Sequence, residues 1–182
     1  VVCFGYLGYK NARFGKIESH EAVTAMSREL MLQAKEVAED MGFTILHMYV
    51  DCLFVQQEGF RKPSEFMSLM NAIEEKTGIP IALEGVFKWV AFLASKRDAR
   101  VPIPNQYFGA FQDGTLKYRG IELRRRDTTL WVRKIQLKAL EVLAGANTPH
   151  EFADRIPDVM ALVECAKRDL RIGRVPLEEL VV

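Results

Sequence analysis

The apolar positions near the start of the chain predict one long amphipathic helix. Ser19 can cap its beginning, and Gly42 can take the left-handed conformation that often follows a helix end. Apolar side chains recur between them at three- and four-residue spacing, which is the period of one helix face. They are Val23, Met26, Leu30, Ala34, Val37 and Met41. We expect a helix over 19–41, preceded by a tight turn region rich in glycine and aromatic residues over 1–16.

A shorter apolar pattern follows this helix. Residues 43–50 and 53–55 are rich in strand-forming side chains, and Asp51 lies between them. The pattern predicts two short strands with an acid at the bend. A carboxylate at such a tip can bind a divalent metal, whereas surface turns also favour Asp for its local hydrogen bonds. The residues alone leave both interpretations of Asp51 open.

Residues 79–93 form a long apolar and aromatic stretch, which predicts a bent strand or a hairpin. Glu84 lies inside this stretch. A buried carboxylate needs a cation, a metal or water, because its desolvation is costly. Lys88 or Arg97 can supply the cation. Glu84 is therefore predicted to form an ion pair or to bind a metal.

Three further elements are predicted before residue 123. A second helix begins at Pro63 and ends at Gly78. Residues 97–105 contain two prolines and are expected to form a loop. Residues 107–118 predict a hairpin that turns at an Asp-Gly pair.

The last third of the chain has a helical pattern. Its signals are Trp131, Ile135, Ala139 and Leu143 on one face, Gly145 as a stop, Thr148 with Glu151 as a capping pair, Pro157 as a start and Gly173 as a second stop. Prolines open helices and glycines end them at these positions. We therefore expect an α+β part over 1–123 and an all-α part over 124–182.

Composition narrows the class of protein only modestly. The 182 residues are 49 % apolar, which suits one globular unit or two small ones, and 25 basic residues nearly balance 24 acidic ones. The three cysteines and three histidines fit no metal or disulfide spacing, so we expect a reduced, cytoplasmic setting. No stretch has the pattern of a membrane span or a signal peptide. Because the chain opens without methionine and both ends are apolar, we expect a piece of a longer protein.

Positive charge is concentrated in one segment, residues 117–138. It contains eight basic residues and two acidic ones, Glu122 and Asp127, in a chain of net charge +1. Contacts with nucleic-acid phosphates would account for this concentration, and so would a solvated helix start. The basic residues are Lys117, Arg119, Arg124, Arg125, Arg126, Arg133, Lys134 and Lys138.

Taken in order, five segments resemble family B DNA polymerases and together cover nearly the whole chain. The first is similar to the segment after the fingers, the second falls where the family reads Tyr-Gly-Asp-Thr-Asp, and the third is similar to the next palm strand. The fourth lies near the Lys-x-Tyr DNA-contact region, and the fifth is similar to the palm–thumb junction. The first segment reads Phe4-Gly5-Tyr6-Leu7-Gly8-Tyr9 followed by Ala12-Arg13-Phe14, and the second reads His47-Met48-Tyr49-Val50-Asp51-Cys52-Leu53. The third reads Leu83-Glu84-Gly85-Val86-Phe87-Lys88, and the fourth reads Tyr107-Phe108-Gly109. The fifth reads Arg119-Gly120-Ile121-Glu122-Leu123-Arg124-Arg125-Arg126-Asp127.

The chain also departs from the family pattern. Leu53 replaces the second acid of the Asp-Thr-Asp motif, which is the principal metal ligand in the family. Val1 and Val2 stand where the family has Asn-Ser, and the Lys-x-Tyr counterpart ending at Tyr107 has lost its lysine. The motif with the first catalytic aspartate, and the fingers, should lie upstream of Val1.

The resemblance implies an antiparallel palm-type sheet with packed helices over 1–123 and a helical thumb over 124–182. For the family protein it implies DNA-directed DNA polymerase activity (nucleotidyl transfer in replication or repair), with Mg²⁺ or Mn²⁺, primer–template DNA and deoxynucleotide. This chain, without the fingers and the N-terminal palm, is expected to bind DNA without polymerising it. The implied site residues are Asp51 for catalysis, Asp51 and Glu84 for metal, and Tyr107, Arg119, Arg125 and Arg126 for DNA.

Two alternatives remain at this level. The chain can derive from a catalytically inactive relative that acts as a DNA-binding or scaffolding subunit, which the loss of the second acid favours. It can also be an unrelated metal-dependent phosphoryl-transfer enzyme that uses Asp51 and Glu84.

Overall fold

The structure, a computed structural model, describes residues 2–182 and divides the chain into two compact units, residues 1–84 and 85–182. Val1, at the first Asn-Ser position of the resemblance, lies outside the described residues. The elements of the first unit are α1 (Val2–Leu7), α2 (Ile17–Asp40), β1 (Thr44–Tyr49), β2 (Cys52–Gln56), a 3-10 turn (Pro63–Phe66) and α3 (Met67–Thr77).

The start of the first unit differs in part from its prediction. Residues 2–7 are helical, where only turns are predicted. Helix α2 begins two residues before Ser19, because the carbonyl oxygen of Lys16 already accepts hydrogen bonds from the amides of Ser19 and His20, both at 3.1 Å. The predicted Ser19 cap is therefore wrong, whereas the helix end just before Gly42 is confirmed.

The core of the first unit forms where α2 packs against α3 and β1. Ala34 and Ala38 are buried on α2, and Leu69 and Ile73 are buried on α3. The beginning of the predicted apolar stripe does not reach this core, since Met26 is 68 % exposed. Three rings fill the adjacent space with centroids 5.5 to 6.0 Å apart: Phe43, Phe60 and Phe66.

The second unit joins a three-stranded antiparallel sheet, in the order β3-β4-β5, to a set of helices. Its elements are β3 (Phe87–Ala94), β4 (Pro102–Phe111), β5 (Leu116–Arg119), a 3-10 turn (Glu122–Arg124), α4 (Leu130–Ala144), α5 (Pro149–Asp154), α6 (Ile156–Arg171) and a last 3-10 turn (Leu177–Glu179). The predicted α+β class with antiparallel strands and a helical C-terminal part is confirmed.

Two predicted boundaries in this region are wrong. The strand predicted over 79–93 is regular only from Phe87, so Glu84 lies outside any strand and is exposed. Strand β4 begins inside the predicted loop, at Pro102. Its prolines are tolerated because the register with β3 shifts between Phe92 and Ala94, and a bulged stretch does not need every ladder hydrogen bond.

Sheet and helices of the second unit share one core. Trp89 of β3 packs on Phe152 of α5 with ring centroids 4.7 Å apart, and the buried cluster continues through Ala110, Leu143 and Ala146. The palm–thumb boundary predicted at 123/124 lies inside this unit. It stays a prediction about family subdomains.

Candidate nucleic-acid interface

The basic segment, residues 117–138, is here called the junction. It runs from β5 through the connecting loop into α4. After Arg119 the chain reverses at Gly120, whose φ is 66°. A Cβ at this position would lie 2.2 Å from the carbonyl oxygen of Asn105, so both the backbone conformation and the available space require glycine. The chain then forms the 3-10 turn Glu122–Arg124 and reaches Thr129, whose hydroxyl caps α4.

Arg125 and Asp127 form a two-pronged ion pair on the junction. Nε of Arg125 donates to Oδ1 of Asp127 at 3.0 Å, and Nη2 donates to Oδ2 at 2.7 Å. These hydrogen bonds lower the pKa of Asp127 and raise the pKa of Arg125. The same fork geometry suits a phosphate, so Asp127 occupies donors that an incoming phosphate would use.

Two side chains of α4 hold the junction, one through its backbone and one through the side chain of Glu122. Nη2 of Arg133 donates to the carbonyl oxygen of Arg125. Nε2 of Gln136 donates to Oε2 of Glu122 at 3.1 Å, and this hydrogen bond lowers the pKa of Glu122. Both ends of the segment 122–125 are therefore tied to one helix, which orders the arginines between them.

Five further basic residues of the junction fall into two groups. Arg133 is engaged by the backbone, and Lys134 pairs with Glu179 at 2.6 Å. Arg124, Arg126 and Lys138 are exposed and form no ion pair with any other residue in 2–182. The exposed, uncommitted cations are the ones available to an anionic partner.

Two of the predicted DNA contacts, Tyr107 and Arg119, are paired neighbours in the sheet. Tyr107 of β4 lies opposite Arg119 of β5 in the antiparallel register, so both side chains lie on one face. Arg119 is half-buried, and Tyr107 is 4 % exposed with its ring 5.9 Å from that of Phe92. Tyr107 thus contributes to the sheet core, and its role toward DNA stays a prediction.

The predicted hairpin around Asp51 is present in the first unit. Tyr49 pairs with Cys52, so Val50 and Asp51 form a two-residue turn. Val50 has φ 50°, a conformation that is rare for a β-branched residue and natural for glycine. The resemblance aligns Val50 with a glycine, and the turn has a glycine-type backbone that the valine side chain disfavours.

The described residues by themselves do not form a complete metal site. Asp51 is exposed at the turn, while Leu53, which the resemblance aligns with the second acid, is half-buried opposite Met48. Glu84 is exposed, and no group of three or more His, Cys, Asp or Glu side chains within 2–182 is arranged to hold a metal ion. The metal roles of Asp51 and Glu84 therefore stay predictions, and no reaction step is assigned to them.

Some residues that shape the junction were not evident from the sequence. The sequence marks Arg133 only as one more basic residue, and Gln136 carries no signal at all. Gly120 is a detectable exception, because a glycine directly after a strand often marks a tight backbone approach. Asn105, with φ 60°, is its counterpart within β4.

The sequence and fold match known polymerases over nearly the entire chain. The model of the family described as DNA polymerase family B matches residues 2–182. A DNA polymerase of Archaeoglobus fulgidus is 28 % identical over 98 % of this chain, and DNA polymerase 2 of Saccharolobus solfataricus is 32 % identical over 66 % of it. The solved structure of the family B DNA polymerase from Pyrobaculum calidifontis superimposes with a TM-score of 0.67 at 26 % identity over 98 % of this chain.

The fold and the matches define a portion of a nucleic-acid polymerase architecture. The chain belongs to DNA polymerase family B. It spans 21 % of the length of the Archaeoglobus and Pyrobaculum proteins and 18 % of the Saccharolobus protein. Membership excludes the alternative of an unrelated phosphoryl-transfer enzyme. Within residues 2–182, none of the helices is both long and apolar enough to cross a membrane.

Proposed function

We propose that this chain is the C-terminal palm and thumb part of a family B DNA polymerase and that its junction binds primer–template DNA through the phosphate backbone. The observation that carries the proposal is the exposed, unpaired state of Arg124 and Arg126. Arg124 lies inside the segment 122–125 that Arg133 and Gln136 hold, and Arg126 follows it directly. Ordered arginines with free donors suit phosphate oxygens. Contacts of this type give affinity with little sequence preference.

Arg125 and Arg119 complete the proposed contact set. Arg125 would exchange Asp127 for a phosphate with little movement, because its donors already form a fork. Arg119, beside Arg124 and Arg126 in sequence, would extend the contact toward the sheet. Tyr107 would act mainly by packing beneath Arg119, since its ring is buried.

For the whole polymerase we propose nucleotidyl transfer with Mg²⁺ or Mn²⁺, using template DNA and deoxynucleotide in replication or repair. Asp51 is the residue that this chain would contribute to such a metal site, together with Glu84 if the two approach each other in the larger protein. The divalent ion would supply charge neutralisation at the transferring phosphate. The described residues hold and orient DNA in this proposal and perform no chemical step.

A second candidate function is that of an inactive relative that binds DNA or serves as a scaffold. The specific observation in its favour is Leu53, whose side chain is half-buried in β2 and cannot bind a metal. The two candidates share the DNA-binding junction. They differ in whether the rest of the parent protein supplies the carboxylates that a catalytic metal site needs.

The test measures binding of the 182-residue chain to a labelled primer–template duplex across a salt series. The Arg125→Ala/Arg126→Ala variant should bind about tenfold more weakly, and its salt slope should fall by about two, since each phosphate contact contributes about 0.9 to that slope. Arg97→Ala/Arg100→Ala removes the same charge from two exposed arginines outside the junction and should change neither quantity. No duplex binding at low salt, or an equal loss in both variants, would contradict the proposal.

A further inference from the structure

A carboxylate from the last 3-10 turn of the second unit pairs with one of the junction cations. Nζ of Lys134, on α4, donates to Oε1 of Glu179 at 2.6 Å. The two residues are 45 positions apart in the chain, so the pair joins two separate elements. The ion pair of Arg125 with Asp127, by contrast, joins close neighbours in the chain. The state of Lys134 therefore depends on a distant part of the fold.

Glu179 is the more buried partner of this pair. Its side chain is 20 % exposed, whereas the side chain of Lys134 is 46 % exposed. A carboxylate that has lost much of its hydration is stabilised by a cation, so the pair holds Lys134 toward Glu179. The neighbouring Glu178 is exposed and forms no ion pair with another residue in 2–182. The two adjacent carboxylates thus have the same charge and differ in whether they engage the junction.

Residues 174–180, here called the C-terminal segment, position Glu179. Val175 is 7 % exposed, and the amide of Arg174 donates to the carbonyl oxygen of Asp169 at 2.9 Å. The 3-10 turn that follows is more open, since Leu177 is 76 % exposed. The segment is therefore fixed at its start, and the ion pair connects its later part to α4.

The face of α4 that carries Lys134 also carries a free cation. Lys138 is four residues further along the helix, so the two side chains lie on one face. Lys138 is exposed and unpaired within residues 2–182, whereas Lys134 is engaged by Glu179. Carboxylate and phosphate oxygens are alternative acceptors for the same ammonium group. A phosphate that approaches this face can thus contact Lys138 directly, but it contacts Lys134 only in exchange for Glu179.

We infer that Glu179 competes with DNA phosphate for Lys134, so that the C-terminal segment weakens DNA binding by the junction until the duplex displaces this carboxylate. The inference rests on the duplex contact proposed for the junction. The coupling between two competing contacts is reciprocal. Bound duplex therefore weakens the contact between the C-terminal segment and α4 by the same factor by which Glu179 weakens duplex binding.

The first measurement is the affinity of the 182-residue chain for the labelled primer–template duplex across a salt series. Glu179→Gln should raise this affinity about two- to fivefold at low salt, which is the scale of a partly exposed ion pair. It should also increase the salt slope by about 0.9, because Lys134 gains one phosphate contact. Glu178→Gln is the matched control, since it removes the same charge from the adjacent exposed position and should leave the salt slope unchanged. In a Lys134→Ala chain, Glu179→Gln should change the affinity no more than Glu178→Gln does.

A second measurement follows the C-terminal segment itself. The amides of Glu179 and Leu180 donate to the carbonyl oxygens of Pro176 and Leu177, and hydrogen–deuterium exchange reports on these hydrogen bonds. Both amides should exchange faster in the wild-type chain when duplex is bound, because the phosphate releases Glu179. In the Glu179→Gln chain, duplex should change their exchange little. An ion pair that only supports the fold would not respond to DNA in this way.

Three outcomes would overturn the inference. Equal affinities and salt slopes for Glu179→Gln and Glu178→Gln would do so, and so would slower or unchanged exchange of the C-terminal segment when duplex is bound. Weaker duplex binding by Glu179→Gln, together with a lower midpoint of urea unfolding, would show that the ion pair is a structural support. In each of these cases, duplex binding by the wild-type chain leaves the proposed function of the junction intact. A wild-type chain that binds no duplex contradicts both proposals, so the two failures are distinguishable.

Discussion

The hairpin tip around Asp51 and the junction after β5 each place a residue with positive φ next to the residues of interest, and they differ in how well the sequence suits that backbone. At the junction the residue is Gly120, φ 66°, which is the amino acid this conformation favours. At the hairpin tip it is Val50, φ 50°, a β-branched residue that strongly disfavours it. The junction contains several arginines, whereas the hairpin has a leucine, Leu53, where the resemblance predicts a second acid.

This difference indicates which chemistry the chain supports. A phosphate-binding junction needs ordered cations, and Arg133 and Gln136 supply that order through hydrogen bonds to the segment 122–125. A metal site needs several oxygen ligands at one point, and a single exposed Asp51 does not provide them. The ordered cations that the proposed phosphate contact requires are therefore present in the described residues, whereas those residues do not bring together the ligands of a metal site.

The largest expected effect concerns the core of the second unit, to which the junction belongs. Trp89→Ala should destabilise the second unit by about 3–5 kcal/mol, because the ring is 8 % exposed and is the largest member of the core that sheet and helices share. Amide exchange should rise together in β3–β5 and in α4–α6. Chemical denaturation combined with hydrogen–deuterium exchange measures both quantities.

The control is Phe66→Ala, an equally buried aromatic of the first unit. It should raise amide exchange in α2 and α3 and leave amide exchange in β3–β5 unchanged. If Trp89→Ala exposed the sheet and left α4–α6 protected, the helices would be an independent subdomain. The palm–thumb boundary at 123/124 would then also be a boundary of stability.

Sequence reasoning reached the parts of this molecule that local patterns determine. The Asp-Gly turn is confirmed because Asp113 accepts a hydrogen bond from the amide of Thr115 and Gly114 has φ 87°. The Thr148 cap is confirmed because its hydroxyl accepts from the amide of Glu151. Such signals depend only on neighbours in the chain, which is why they can be read without a structure.

What escaped prediction depends on contacts between distant residues. The apolar neighbours of Glu84 predict that it lies within a strand, yet the strand begins only at Phe87. The hydrogen bond from Arg133 to Arg125 joins residues eight positions apart on different elements, and no local pattern encodes it. The candidate arginines could thus be identified from charge density, whereas their division into committed and free members required coordinates.

An intermediate effect is expected at the hairpin tip. Val50→Gly should stabilise the first unit by about 1 kcal/mol, because glycine adopts positive φ without the steric cost that valine has there. Little packing is lost, since Val50 is 65 % exposed. The midpoint of urea unfolding measures the change.

Val55→Gly is the comparison variant, because Val55 lies in β2 with ordinary strand geometry. It should destabilise the unit through lost packing and added chain entropy. A destabilising Val50→Gly would show that the tip is not strained. The hairpin tip and the junction would then differ only in that Leu53 stands where the resemblance predicts an acid.

The smallest effect concerns the ion pair that covers Arg125. Asp127→Asn removes the carboxylate that accepts both donors of the guanidinium, and duplex affinity should rise about two- to fivefold, in keeping with the small strength of exposed ion pairs. Asp98→Asn is a close control, since Asp98 accepts from Arg100 in the same two-pronged arrangement and at the same sequence spacing. It should leave duplex affinity unchanged.

The pH dependence of this last effect follows from the direction of the pKa shift. The hydrogen bonds from Arg125 lower the pKa of Asp127. Its carboxylate is therefore charged at every pH above the ordinary pKa range of aspartate. The ion pair is fully formed above the unfolded pKa and is lost only as the pH falls through the lower folded value. The affinity ratio between Asp127→Asn and wild type should therefore be constant from about pH 8 to about pH 5. A ratio that shrinks within that range would mean that Asp127 is not held by Arg125, and that the junction offers this arginine to phosphate from the outset.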